Sequence, residues 1–179
     1  MLKISIYALL FRIIEIAGDS CGAGLAVSLI SEIMNEFLPL PRAAILVSPW
    51  LSMELTSPTY QTNAQYDYLT LQSTRAYRDL YLPPDISYTD PGISPIHLPS
   101  FQYFPPMLVI YGAKEVFQHE IEVLIKKCKD NGVDIQSMAA PNAAHVWIML
   151  EHLCRNDAAW TNAIKNTAEW CARQISSDL

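Results

Sequence analysis

A serine flanked by glycines lies near the start of the chain, where an apolar run gives way to a series of small residues. The five residues are Gly18-Asp19-Ser20-Cys21-Gly22. The spacing G-x-S-x-G is typical of a sharp strand-to-helix turn that exposes a serine hydroxyl in front of a helix N-terminus. Side chains at Gly18 and Gly22 are expected to collide as such a turn closes. Ser20 is therefore the candidate nucleophile, and the backbone N–H of Cys21 is the candidate oxyanion donor.

A serine hydroxyl becomes a good nucleophile only when a base takes its proton and a third group orients that base. In known sites built on this turn, the three residues occur along the chain in the order serine, acid, histidine. Glu115 follows a predicted strand at 107–111, and His145 follows a predicted strand at 133–138. Open α/β sheets build their sites at the carboxyl ends of parallel strands. The order and placement predict His145 as the base and Glu115 as its orienting acid.

Other residues compete for these roles. His97 lies in a proline-bounded loop, His119 on a helix just after Glu115, and His152 in the closing helix. None of these three histidines follows a strand in the required order. The alternative interpretation of Glu115 is structural, since a carboxylate is favoured at a helix N-terminus. Asp19 is interpreted as a hydrogen-bonding residue of the turn.

The elements that must position these residues alternate between strands and helices. The first predicted strand ends near Ala17, and three more are predicted at 43–48, 107–111 and 133–138. Helices are predicted at 21–37, 66–80, 118–131 and about 151–176. The first helix is expected to bury its apolar side chains, which are Leu25, Val27, Leu29, Ile30, Ile33, Met34 and Phe37. This alternation predicts an α/β fold with a mostly parallel sheet.

The middle of the chain differs in composition, because it is rich in proline and tyrosine. Eleven of the 12 prolines lie between positions 39 and 106, and seven of the nine tyrosines lie between 60 and 103. Long irregular stretches of this kind usually cover or line a site. We therefore expect residues 1–179 to form one partial domain with a lid-like insertion at about 50–105. Its apolar character favours a small hydrophobic ligand.

Composition excludes some classes of function. A formal net charge of −6, with no cluster of Lys or Arg, argues against a nucleic-acid partner. The cysteines at 21, 128, 154 and 171 lack metal-ligand spacing and are expected to be free thiols, which favours a cytoplasmic location. The apolar N-terminus is too short and too charged for a membrane span, although a membrane-associated longer protein stays an alternative. Oligomeric state is left open.

Several stretches together resemble the hormone-sensitive-lipase-like branch of the α/β-hydrolases (the alpha/beta hydrolase fold-3 group). Residues 18–26 (GDSCGAGLA) resemble its GDSAGG-type elbow, and residues 41–50 (PRAAILVSPW) resemble its strand ending in Ser-Pro-Trp. The Ser-Pro pair at 94–95, residues 104–112 (FPPMLVIYG), the Glu115 loop and residues 145–147 (HVW) agree with later motifs of this branch. The resemblance covers about residues 11–150.

This resemblance implies a partial α/β-hydrolase fold, comprising the C-terminal strands and helices. It also implies hydrolysis of a carboxylic ester through an acyl-enzyme on Ser20, with no metal or organic cofactor. Relatives draw most oxyanion donors from a His-Gly-Gly-Gly loop, for which there is no counterpart among the 19 residues before Ser20. We therefore expect a chain that lacks the N-terminal part of the family fold. Two alternatives are a catalytically impaired remnant acting as a binding module and an unrelated α/β binding domain with an accidental elbow.

Overall fold

A computed structural model of the chain describes residues 14–150 and 157–176, and its centre is a parallel sheet. Its strands are β1 (Glu15–Asp19), β2 (Ala43–Val47), β3 (Met107–Gly112) and β4 (Ile135–Ala140). Within the described residues, these four strands lie in the order β1-β2-β3-β4 and every pairing is parallel. The register aligns Asp19, Val47, Ile110 and Met138 across the sheet, so all four strands end at one edge. The predicted parallel α/β sheet is confirmed.

The two central strands, β2 and β3, are covered on both faces, which explains why they are continuously apolar rather than alternating. On β3, Met107 and Val109 pack into one hydrophobic cluster, whereas Leu108 and Ile110 pack into a second cluster on the opposite face. All six residues of β3 are buried. The strand that carries the Glu115 loop is therefore anchored on both sides.

Five α-helices lie among the described residues. They are α1 (Cys21–Asn35), α2 (Thr59–Thr62), α3 (Leu71–Tyr81), α4 (Gln118–Asp130) and α5 (Asp157–Ser176). α3 begins five residues later than the predicted helix at 66–80, because Thr70 caps it through a reciprocal capping box with Ser73. The predicted start of the last helix, with His152 and Cys154, lies outside the described residues, as does the N-terminal part of the first predicted strand.

The expected burial along α1 is partly wrong. Val27 and Ile30 are fully buried, but Leu25 and Leu29 are about half exposed and Phe37, beyond the helix end, is 95% exposed. The stripe that faces the sheet is narrower than the apolar pattern suggests, because small residues such as Ala23 let the helix lie close to the strands. The outward leucines therefore remain accessible in the described part of the chain.

Close packing at the start of α1 also corrects the expected roles of the glycines. A Cβ at Gly18 would lie 2.5 Å from the Gly22 backbone, so a side chain is excluded there as expected. Apart from its chain neighbours and the backbone of its own helix, a Cβ at Gly22 meets no described atom within 4 Å, so the expected collision at Gly22 is wrong. Gly24 is the second constrained position instead, because its Cβ would lie 2.2 Å from the carbonyl oxygen of Trp50.

The proline- and tyrosine-rich middle segment, residues 50–105, folds onto the sheet and its helices. Leu51, Tyr60, Phe101 and Phe104 belong to the same buried cluster as the inner face of α1. Apart from α2, α3 and a short 3₁₀ helix at Pro95–His97, the segment is irregular. No helix within the described residues has the length and apolarity that crossing a bilayer requires.

The two glycines of α1 provide a matched pair of variants. Gly24→Ala is expected to lower the free energy of unfolding by about 1–3 kcal/mol or more, because backbone must move to accommodate the methyl group. Gly22→Ala has room and gains helix propensity of up to about 1 kcal/mol. Urea denaturation of both variants checks the expectation, and equal destabilisation by the two changes would contradict it.

A buried carboxyl on α4 makes stability depend on pH. Glu120 is 6% exposed, and its Oε2 has no hydrogen-bond partner among the described residues. Burial, helped by the negative charge of Glu54, raises the pKa of Glu120 from 4.5 to about 8. Between these values the folded chain binds more protons than the unfolded chain, so the free energy of unfolding falls as pH rises.

Glu120→Gln is expected to remove this pH dependence, because the neutral amide has no proton to lose. The variant should gain stability relative to the original chain as pH rises from about 5 to about 8.5, by an amount on the order of a few kcal/mol. Thermal unfolding at both pH values measures the effect. Glu122→Gln, an exposed carboxylate on the same helix, is the control and should show no such gain.

Candidate active site

The turn between β1 and α1 holds Ser20 in a strained backbone conformation. Its φ and ψ angles are 51° and −120°, a region that non-glycine residues rarely adopt. Hydrogen bonds maintain this geometry: the Ser20 N–H donates to the Val47 carbonyl at 2.8 Å, and the Ser20 carbonyl accepts from the Trp50 N–H at 3.0 Å. The turn is therefore fixed by the end of β2, which presents the hydroxyl beyond the carboxyl edge of the sheet.

Three residues predicted from the sequence lie together at this edge. His145 Nε2 lies 2.9 Å from Ser20 Oγ, although 125 residues separate them along the chain. On the other side of the ring, His145 Nδ1 lies 3.9 Å from Glu115 Oε1. That distance is longer than a hydrogen bond, yet neither of these buried atoms has another partner among the described residues. Serine, imidazole and carboxylate thus form a continuous line.

Glu115 is completely buried, and its surroundings act on its charge in opposite directions. Burial raises the pKa of this carboxyl, whereas His145 and the hydrogen bonds from Ser48 and Gly112 lower it. Its Oε2 accepts from the Ser48 hydroxyl at 2.7 Å and from the Gly112 N–H at 3.0 Å. The remaining oxygen, Oε1, is the one that faces His145.

Ser48 is a site residue that the sequence reasoning missed. While its hydroxyl donates to Glu115, the same oxygen accepts from the Val146 N–H at 3.0 Å. Ser48 thereby joins the acid to the residue that follows the base. The signals were its place in the Ser-Pro-Trp motif and its position at the end of β2. Its positive φ of 46° and that of Val146, 49°, are visible only in the structure.

Aromatic rings surround the imidazole and restrict its orientation. The Phe117 ring meets the His145 ring edge-on at a centroid distance of 5.0 Å, and Trp50 stacks on Phe117 at 5.7 Å. Tyr68 lies on another side of the His145 ring, at 6.0 Å. His145 is only 3% exposed as a result. Side-chain packing and the contact with Ser20 together hold the imidazole in place.

A cavity of about 380 Å³ opens beside Ser20. Its lining is mostly apolar, and α1, the middle segment and the Glu115 loop all contribute to it: Ser20, Cys21, Gly24, Leu25, Ser28, Trp50, Met53, Leu69, Thr74, Tyr77, Tyr81, Gly92, Ile93 and Phe117. As the first residue of α1, Cys21 has a backbone N–H that no carbonyl of its own helix accepts. An N–H in that position can donate to an oxyanion formed at Ser20.

The competing histidines that the structure describes have other surroundings. His97 pairs with Glu54 at 2.7 Å, and His119 is exposed, as is Asp19 beside Ser20. His152 lies outside the described residues. In the part of the chain that the structure describes, no three His, Cys, Asp or Glu side chains are grouped so that they could hold a metal ion.

Ser48→Ala tests the link between the acid and the base loop. Removal of the hydroxyl leaves the buried Glu115 carboxylate with one donor fewer, and we expect the free energy of unfolding to fall by about 1–3 kcal/mol. Ser52→Ala is the matched control, because Ser52 is also buried but its hydroxyl has one partner among the described residues, the Glu54 N–H at 3.3 Å. Urea denaturation at neutral pH compares the two. A loss no larger than that of Ser52→Ala would contradict the proposed link.

Comparison with known proteins places this geometry in a family. Residues 7–149 match the family model described as alpha/beta hydrolase fold. The chain is 33% identical over 123 residues to an esterase of Acinetobacter venetianus, covering 68% of this chain and 40% of that protein. It is 30% identical over 138 residues to an acetyl-hydrolase of Streptomyces hygroscopicus, covering 75% of this chain and 44% of that protein. The chain thus spans less than half the length of these curated relatives.

Solved structures show the same likeness. An esterase from the bacterial hormone-sensitive lipase family superposes with a TM-score of 0.82 at 29% identity, covering 90% of this chain and 53% of that one. An esterase/lipase from an uncultured bacterium gives a TM-score of 0.81 at 26% identity, covering 91% and 53%. The resemblance inferred from the sequence motifs is confirmed. The sheet, the elbow and the matched 143 residues (7–149) lead to one conclusion: the chain belongs to the alpha/beta hydrolase fold family.

Proposed function

We propose that this protein hydrolyses carboxylic esters through an acyl-enzyme on Ser20. The observation that carries the proposal is the 2.9 Å contact between His145 Nε2 and Ser20 Oγ at the strained turn. A base within hydrogen-bond reach is the geometric requirement for activating a serine. Relatives named as esterase and acetyl-hydrolase support the same reaction class.

In the proposed reaction each residue has a step. His145 takes the Ser20 proton as Oγ attacks the ester carbonyl, and a tetrahedral oxyanion forms. His145 then gives that proton to the departing alkoxide. The alkoxide leaves as an alcohol, and the acyl group remains bound to Ser20. Water, deprotonated by His145, attacks the acyl group and releases the acid, and the proton returns to Ser20. Glu115 holds the imidazole and stabilises its charged form throughout.

The cavity supports a hydrophobic ester as the substrate class. It opens at Ser20, and side chains such as Trp50, Met53, Leu69 and Ile93 provide apolar surface for an acyl or alcohol chain. A space of about 380 Å³ is within the range of small-molecule sites. The net charge of −6 disfavours nucleic acid as a partner.

The oxyanion donors bear on how fast this chain can react. The N–H of Cys21 is one donor, and loss of a single oxyanion donor typically lowers a rate about 10²–10³-fold. A second candidate function is a binding module that holds a hydrophobic ligand in the cavity with little or no turnover. The 3.9 Å separation between His145 Nδ1 and Glu115 Oε1 favours it, since at this distance the imidazole lacks the hydrogen bond that orients a base.

Labelling with a fluorophosphonate probe distinguishes the two functions. We expect the purified 179-residue chain to be labelled at Ser20, because the probe reacts only with an activated serine. Ser20→Ala should abolish labelling, whereas Ser28→Ala, a serine that lines the same cavity, should retain it. Hydrolysis of a short-chain p-nitrophenyl ester should follow the same pattern. A folded chain that the probe does not label would rule out hydrolysis by this chain and leave the binding module.

Glu115→Gln tests the role of the acid separately from that of the nucleophile. The amide cannot stabilise the imidazolium and favours the wrong tautomer of the ring, which costs about 10⁴-fold in a comparable triad. We expect ester hydrolysis to fall by about 10³–10⁴-fold with little change in KM. The measurement is steady-state kinetics of the variant beside the original chain. Unchanged kcat would mean that Glu115 does not orient the base.

A further inference from the structure

A second buried carboxylate lies beside the triad and has no part in the steps above. Asp67 belongs to the middle segment between α2 and α3 and is 9% exposed. Its Oδ2 accepts from the Val116 N–H at 2.8 Å. Its Oδ1 accepts from the Leu69 N–H at 3.3 Å and, at the long end of hydrogen-bond distance, from the His145 N–H at 3.5 Å. One carboxylate therefore contacts the backbone beside the acid and the backbone of the base.

Residues near Asp67 contact the same two loops. The Asn63 amide donates to the Glu115 carbonyl at 2.9 Å, and the Thr59 hydroxyl donates to the Val116 carbonyl at 2.6 Å. Tyr68 packs against the His145 ring at 6.0 Å. Residues 59–68 thus act as a clamp on the acid and base loops, and Asp67 is the member whose hydrogen bonds reach both.

Ion pairing does not account for the burial of this charge. No cationic side chain lies within salt-bridge distance of Asp67 among the described residues, so backbone N–H groups compensate for the loss of hydration. A carboxylate has two acceptor oxygens, and both are used here. An asparagine has a single acceptor oxygen and would leave one side of the clamp without a partner.

From this geometry we infer that Asp67 is a positioning residue, which holds the Glu115 loop and the His145 loop at the separation that lets the imidazole reach Ser20. Its effect on turnover rests on the proposed function. Its effect on the two loops does not. Asp67 lies outside the cavity lining, so its loss should change the rate of the chemical step and leave substrate affinity unchanged.

Asp67→Asn, made in the full chain, tests this inference against a purely structural role. We expect the rate constant for fluorophosphonate labelling of Ser20 to fall by about 10²-fold, because misplacement on the order of 1 Å costs that much. Ester hydrolysis should lose kcat by a similar factor with KM unchanged. Amide hydrogen exchange at Val116 and His145 should accelerate by about 10-fold or more, since both N–H groups bond to this carboxylate.

Thr70→Ala is the matched control. Thr70 lies three residues from Asp67 and caps α3, but its hydrogen bonds reach only residues of α3. Its loss is expected to lower the free energy of unfolding by about 1 kcal/mol. Comparable falls in labelling rate for the two variants, or an unchanged labelling rate in Asp67→Asn, would overturn the inference. If the original chain itself is not labelled, the proposed function fails, and exchange alone decides: unchanged protection at Val116 and His145 would then overturn it.

Discussion

Burial of the Glu115 carboxylate is the constraint on which the arrangement at this sheet edge depends. A charge removed from water must be met by donors, and here they come from Ser48 after β2 and from Gly112 at the end of β3. Its second oxygen faces His145, which follows β4. Satisfying one carboxylate therefore aligns three consecutive strand ends, and His145 is brought within reach of Ser20, the proposed nucleophile, which follows β1.

Strained backbone at the site is held in place by the packing of the core. Three residues at the site have positive φ angles: Ser20, Ser48 and Val146. Ser20 faces His145, Ser48 bonds to Glu115, and Val146 follows His145. Such conformations cost on the order of 1–3 kcal/mol each and persist only where surrounding contacts compensate. The parallel sheet, which packs against a hydrophobic cluster on each face, supplies that rigidity. The strained residues therefore lie at the edge of the sheet, and the packed core stabilises their conformations.

The middle segment does more than cover the cavity. It lines the apolar side through residues such as Trp50, Met53 and Tyr77, and it reaches the polar side through Asn63 and Asp67. A change in this segment is therefore expected to alter both the shape of the cavity and the alignment of Ser20, His145 and Glu115. Segments of this kind, with little regular structure, are where members of one fold are expected to differ in specificity.

By itself, the sequence determined the parallel α/β fold, the family, and the order of Ser20, Glu115 and His145, because strand patterns, the elbow spacing and loop positions are local signals. It placed the helix at 66–80 too early and assigned a packing role to Gly22 that belongs to Gly24, since caps and close approaches depend on particular neighbours. Only the tertiary structure decided which polar groups support Ser20, Glu115 and His145. The partners of Ser48 and Asp67 in the Glu115 and His145 loops lie 49 to 98 residues away, and no local pattern encodes contacts at such separations.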